Sequence, residues 1–232
     1  MVAESTQHPG WTTPPESTPT HPPPKFTFTT DLSLSEFTIP MRDYLATHPQ
    51  YDAIATGCLV FWLSPLGILH LLVQKRSAHD SMPGRWEIPG GGCDHEDESI
   101  LHGAARELWE ESGLVAAAVV GRVGGEHVFF SRRGMRIGKF NFEVEVEGGR
   151  GDEPPEVRLD ANEHEAYVWA TEEECRAGRK GETELRFTTK GQEDAIWAGF
   201  ERRKGDVKAG GDVAEVGTVD GVAKLTVCQA AV

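Results

Sequence analysis

Glu107, Glu110 and Glu111 stand at positions i, i+3 and i+4, so on an α-helix their carboxylates leave one face within reach of one another. Like charges stacked this closely weaken a helix unless a cation neutralises them. Hard oxygen donors at this density suit Mg²⁺ or Mn²⁺. Glu98 lies just upstream, and Arg106 projects among the acids where its guanidinium can fix one of them. A divalent ion gathered by such a cluster can bridge phosphate oxygens, stabilise developing charge and acidify a bound water, which is the chemistry of hydrolysis at phosphorus.

The segment carrying these acids is well signalled as a helix. Ser99 is placed to cap its start, Leu101, Ala104, Ala105 and Leu108 offer apolar contacts, and Gly113 sits where a left-handed cap is wanted. Written with its intervals, it runs Gly92, five residues, Glu98, seven residues, Arg106-Glu107-Leu108, one residue, Glu110-Glu111, one residue, Gly113-Leu114. This resembles the Nudix box of the Nudix hydrolase superfamily at every fixed position and at both apolar ones.

The resemblance implies an α/β/α sandwich with a mixed β-sheet, covering roughly residues 26–204, and a divalent metal, Mg²⁺ or Mn²⁺, held by Glu107, Glu110 and Glu111. It implies catalytic roles among Glu107, Glu110 and Glu163. Glu163 is included because a further glutamate in such enzymes often lies just before a late strand, and Glu107 or Glu163 would orient or deprotonate the attacking water. Glu98 and Arg106 match a structural pair that holds the loop against the helix, with Gly92 and Gly113 as backbone positions of the motif. The implied substrate is a nucleoside diphosphate joined to some moiety X. Markers of particular subfamilies are missing, since Phe129 and Phe130 occupy the region where a proline or a tyrosine would specify X. Two other readings on the same fold are a nucleotide-binding regulatory module without turnover and an isomerase, the latter requiring a catalytic cysteine such as Cys93.

The elements that must position this helix follow from pattern. Residues 53–62 read as a largely buried strand and 68–74 as its returning partner across a Ser-Pro-Leu-Gly turn. SMPGRWEIPGGG, residues 81–92, leads into the helix, and Pro89 with three glycines lets the backbone pass close to a ligand. Trp86 could stack on a base or pack beneath the loop, and Phe130 is a second aromatic candidate for substrate contact.

Residues 115–123 are apolar enough for a strand, and 126–131 with 137–147 read as a hairpin. Its second arm alternates, with Phe140, Phe142, Val144 and Val146 on one face and Asn141, Glu143, Glu145 and Glu147 on a face expected to be wet. Thr171 and Glu174 form a capping box, and residues 193–204 an amphipathic helix carrying Ile196, Trp197 and Phe200. Residues 1–25, rich in Pro, Thr and Ser, are expected to be a disordered leader, and 205–232 a loosely ordered tail.

Composition narrows the partners. A formal net charge of −14 over 232 residues argues against a non-specific grip on nucleic acid or anionic lipid. No apolar run approaches the roughly 20 residues of a membrane span. The four cysteines form no C-x-x-C pair, so neither a zinc site nor a disulfide framework is indicated and a reducing, cytoplasmic setting is expected. Related proteins often pair, so the resemblance admits a homodimer, which no residue here specifies.

Overall fold

A computed structural model of the chain describes residues 24–210 and 224–228. The strands are β1 (Thr27–Asp31), β2 (Ala53–Leu59), β3 (Phe61–Leu63), β4 (Leu69–Arg76), β5 (Trp86–Glu87), β6 (Ala116–Phe130), β7 (Arg136–Val146), β8 (His164–Thr171), β9 (Arg179–Lys180), β10 (Thr183–Glu184) and β11 (Lys224–Cys228). The helices are α1 (Met41–Thr47), α2 (Ile100–Ser112), α3 (Glu172–Ala177) and α4 (Lys190–Gly210), with a short 3-10 helix at Leu32–Phe37.

One sheet has the order β11-β1-β6-β7-β2 and is mixed, with β1 parallel to β6 and β2 parallel to β7. The second places β3, β5 and β8 antiparallel around β4. Helix α2 buries Ile100, Leu101, Ala104, Ala105 and Leu108 in one core with Ile54, Cys58 and Leu72, while α4 buries Ile196 and Phe200 in another with Leu59, Leu71 and Val73. Leu71 and Leu72 thus serve opposite cores, which is why these strands read as continuous apolar runs. Among the described residues, no helix is long and apolar enough to cross a membrane.

Three expectations change. The segments 115–123 and 126–131 form a single strand, because the Gly124-Gly125 pair is absorbed as an irregularity in register between Val123 and His127. Residues 224–228 pair antiparallel with β1, and α4 runs on to Gly210, so the segment beyond 204 is not wholly a loose tail. The expected leader lies outside the described residues except for positions 24 and 25.

The third change concerns β7. Phe140, Phe142, Val144 and Val146 are buried as the alternation requires, but Asn141 and Glu143 on the other face are buried as well. Helix α4 brings Arg202 Nε to 3.0 Å and Arg203 Nε to 2.7 Å from the Glu143 carboxylate. Removing one partner of such an arrangement leaves buried charge uncompensated. Replacing both Arg202 and Arg203 by Ala, which takes these two cations from the fully buried Glu143 carboxylate, is therefore expected to lower the unfolding free energy by about 3–5 kcal/mol. Urea denaturation measures this, and an unchanged midpoint would count against a clamp between sheet and helix.

Candidate active site

Helix α2 is held at both ends by its own sequence. Ser99 Oγ accepts the His102 N–H at 3.2 Å, and Gly113 takes φ +69°, the left-handed region a glycine occupies without penalty. The acids on its exposed side then meet the glycine run. Pro89 to Cys93 is bonded to the backbone of β2, with Cys58 N donating to Pro89 O, Thr56 N to Gly91 O and Cys93 N to Ile54 O, at 2.8, 2.8 and 2.9 Å. A Cβ at Gly91 would lie 2.5 Å from Glu107 Oε2, so any side chain there would push that carboxylate out of its place.

Glu111 is buried, and its Oε2 accepts the Gly90 N–H at 2.7 Å. Burial pushes its carboxyl well above the usual range, the charges of Glu87, Glu107 and Glu163 push it further, and only the Gly90 hydrogen bond opposes them. Burial likewise pushes Glu107 up to about 7, against the pull of Arg106. Glu110 is the more exposed member and accepts from Arg106 Nη1 at 2.8 Å. Glu163 stands just ahead of β8 and is exposed, yet it has a carboxylate oxygen within 4.8 Å of ligand atoms on both Glu111 and His164.

Arg106 organises the group differently from expectation. Its guanidinium takes Asp97 in a two-point grip, Nε to Oδ1 at 2.9 Å and Nη2 to Oδ2 at 3.0 Å. It also donates to Glu107, Glu110 and the Gly92 carbonyl. The loop partner is therefore Asp97. The Glu98 carboxylate instead lies 4.0 Å from His102 Nε2. The cause is the turn Asp94–Asp97, which folds back with Asp97 Oδ2 accepting the Asp94 N–H at 2.7 Å and turns that carboxylate inward. Arg106→Lys keeps the charge and loses the fork. Roughly 1–3 kcal/mol of stability should go with it, read as a lower melting temperature, and a variant melting like the parent would contradict this geometry.

Two aromatic assignments are corrected. Trp86 is only 1% exposed, its Nε1 donates to Glu184 O at 2.9 Å, and it packs with Ile88 and Phe187, so it cannot meet a base. Phe130 is 69% exposed but absent from the lining of the adjoining cavity, which its neighbour Phe129 enters instead. Successive strand residues point to opposite faces, so a shift of one position changes the partner entirely.

Glu87 and His164 also meet beside these acids, and neither is among the candidates drawn from the sequence. His164 is fully buried with Nε2 3.2 Å from Glu87 Oε1, and Glu87 is ion-paired with Arg76. An acid two residues before Pro89 in a short strand was the available signal for Glu87. Cys93 is buried and its thiol is pushed well up by that burial, which leaves it without the thiolate an isomerase would need.

A family model described as the NUDIX domain matches residues 56–190. The match takes in more than half of the chain, which belongs to this family and has its α/β/α sandwich fold. The NUDIX domain of Shewanella oneidensis NrtR, solved in complex with ADP ribose, resembles it in fold with a TM-score of 0.50 at 18% identity, over 71% of this chain and 99% of that one. Two curated relatives share shorter stretches. The m7GpppN-mRNA hydrolase NUDT17 of Bos taurus is 48% identical over 44 residues, 19% of this chain and 14% of that protein. An RNA pyrophosphohydrolase of Rhizobium meliloti (strain 1021) is 39% identical over 51 residues, 22% of this chain and 30% of that protein. The chain thus matches less than a third of the length of either.

Proposed function

We propose that the protein is a divalent-metal-dependent hydrolase that cleaves the diphosphate linkage of a nucleoside diphosphate joined to another moiety, by attack of water on phosphorus. The observation that carries this reading is Glu111. A buried carboxylate whose one hydrogen-bond donor among the described residues is a backbone N–H, and which faces other acids, is arranged for a cation.

The donor set fits Mg²⁺ or Mn²⁺. Glu111 and Glu163 bring carboxylate oxygens within 4.8 Å of each other and of a His164 ring nitrogen, Glu107 and Glu110 add oxygens from the same helix, and hard, doubly charged ions prefer the oxygens of such a set. When bound, the metal would neutralise phosphate charge and make an attached water more acidic. The chain's own residues then have separable tasks. Arg106 fixes the orientation of Glu107 and Glu110 from behind. Glu107, raised toward neutrality, and Glu163, exposed beside Glu111, are the two carboxylates suited to take the proton of the attacking water. The glycine run brings a bare backbone to the acids and leaves room for phosphates.

Turnover measured with Mg²⁺ and with Mn²⁺ tests this, using a panel of dinucleoside polyphosphates, sugar nucleotides, ADP ribose, oxidised nucleotides, m7GpppN-capped RNA and RNA bearing a 5′ phosphoanhydride. The last two belong in the panel because of the names of the two curated relatives. The expected products are a nucleoside monophosphate or another phosphorylated fragment. Stabilisation by a nucleotide with no turnover of any member would overturn the hydrolase in favour of a binding module.

A further inference from the structure

Beside the catalytic acids, β2 and β7 turn the small or polar residues Ala55, Lys139 and Asn141 toward one face, and β6 adds Phe129. With the glycine run and the first turn of α4 they surround a cavity of about 480 Å³. Gly57 lies in register with Asn141 across the sheet, and a Cβ there would collide with Asn141 Oδ1, so a bare backbone is what lets that carboxamide lie flat over β2.

Two amide side chains line this cavity from different elements, Asn141 from β7 and Gln192 from α4, and they are 4% and 6% exposed. Asn141 Oδ1 and Gln192 Nε2 have no hydrogen-bond partner among the described residues. Buried polar atoms in native interiors are nearly always paired, so an unpaired acceptor and an unpaired donor in one cavity point to a guest that supplies both partners. Phe129, whose ring stacks on His127 with centroids 6.0 Å apart, gives the same space an aromatic wall for a flat ring.

Given the hydrolase reading, on which this inference rests, we propose that the cavity seats the nucleobase of the substrate, with Asn141 and Gln192 reading its hydrogen-bonding edge. Every nucleobase carries an N–H donor and an acceptor on adjacent atoms of a planar ring, and a sugar phosphate offers no such edge. The cavity is also lined by Gly90, whose N–H holds Glu111, so a base seated here places its 5′ phosphates toward the acids. Asn141 and Gln192 are thus specificity determinants that select a nucleotide over other diphosphates.

The test is calorimetric titration of the full chain with Mg²⁺ present, using AMP, GMP, CMP, UMP and ribose 5-phosphate as probes. None of these contains a phosphoanhydride, so base-dependent binding is read whether or not the chain hydrolyses anything, and loss of turnover alone would sink only the hydrolase reading. At least one nucleotide should bind about tenfold or more tightly than ribose 5-phosphate. Gln192→Met and Asn141→Leu should each erase roughly tenfold of that preference while leaving ribose 5-phosphate binding unchanged. Gln192→Met is close to isosteric and lies in the first turn of α4, which keeps the test sound if Asn141→Leu fails to fold. Equal binding of all five probes, no binding by any nucleotide, or full preference retained in folded Gln192→Met would overturn the proposal.

Discussion

Glu111→Gln is expected to cut turnover by at least about a thousandfold, the scale on which loss of a group stabilising transition-state charge is felt. The neutral amide keeps the side-chain volume, and its oxygen can still accept the Gly90 N–H, so the backbone need not move. What disappears is a negative oxygen in a position where burial already resists ionisation. The same substitution should leave the metal-free protein at least as stable as the parent, since a buried amide needs no counter-ion. Two measurements decide the point, steady-state turnover with Mg²⁺ and thermal melting in EDTA. Turnover within tenfold of the parent, or a metal-free variant that melts lower, would show that Glu111 is a structural acid. Glu110, more exposed and held by Arg106, should give a similar loss of turnover on conversion to Gln with little change in melting.

The second large effect is the response of stability to pH and metal together. Glu107 titrates at about 7 in the folded chain against 4.5 for an unperturbed glutamate. Below about 4.5 both states hold the proton and it has no influence. As pH rises from there toward 7 the unfolded chain ionises first, so the folded state loses ground, and above 7 the loss levels off. The shift corresponds to roughly 3 kcal/mol from this one group, and Glu111, pushed in the same direction, adds to it. In EDTA the melting temperature should therefore fall between about pH 5 and about pH 8. Mg²⁺ at a thousand times its Kd should return about 4 kcal/mol at the upper end and much less at the lower, where protons compete for the same oxygens. A melting curve that rises with pH in EDTA, or that ignores Mg²⁺ at pH 8, would contradict the arrangement of these acids.

What could be read from residue order was local. The ends of α2 were legible because Ser99 and Gly113 act within a turn of the helix they bound, and the capping box of Thr171 and Glu174 for the same reason. Partners that meet through the fold were not. Asp97 and Glu98 are chemically alike, and only the Asp94–Asp97 turn decides that the former faces Arg106. The polar alternation of β7 announced a wet face because nothing near it in sequence shows that Arg202 and Arg203 return to cover Glu143. His164 behaved likewise, since it meets Glu87 only because β8 pairs with β4, which sets it opposite Arg76. The resemblance supplied the family and the acids of α2, and it had nothing to say of the amide pair in the cavity, which belongs to this chain's own β7 and α4.

The stitching of Pro89–Cys93 onto β2 restricts how the molecule can breathe. A loop fastened by three main-chain bonds to β2, the last strand in the order of its sheet, cannot swing aside to admit a large guest without breaking those bonds. Any gate must therefore lie across the mouth, where the turn at Met82, with its backbone at φ +56°, and the hairpin end at Met135 form the remaining rim. The amides of Thr56, Cys58 and Cys93 should then be among the slowest to exchange with solvent deuterium, while those of the far rim exchange early, so that this enzyme fold keeps a stiff jaw and a soft one.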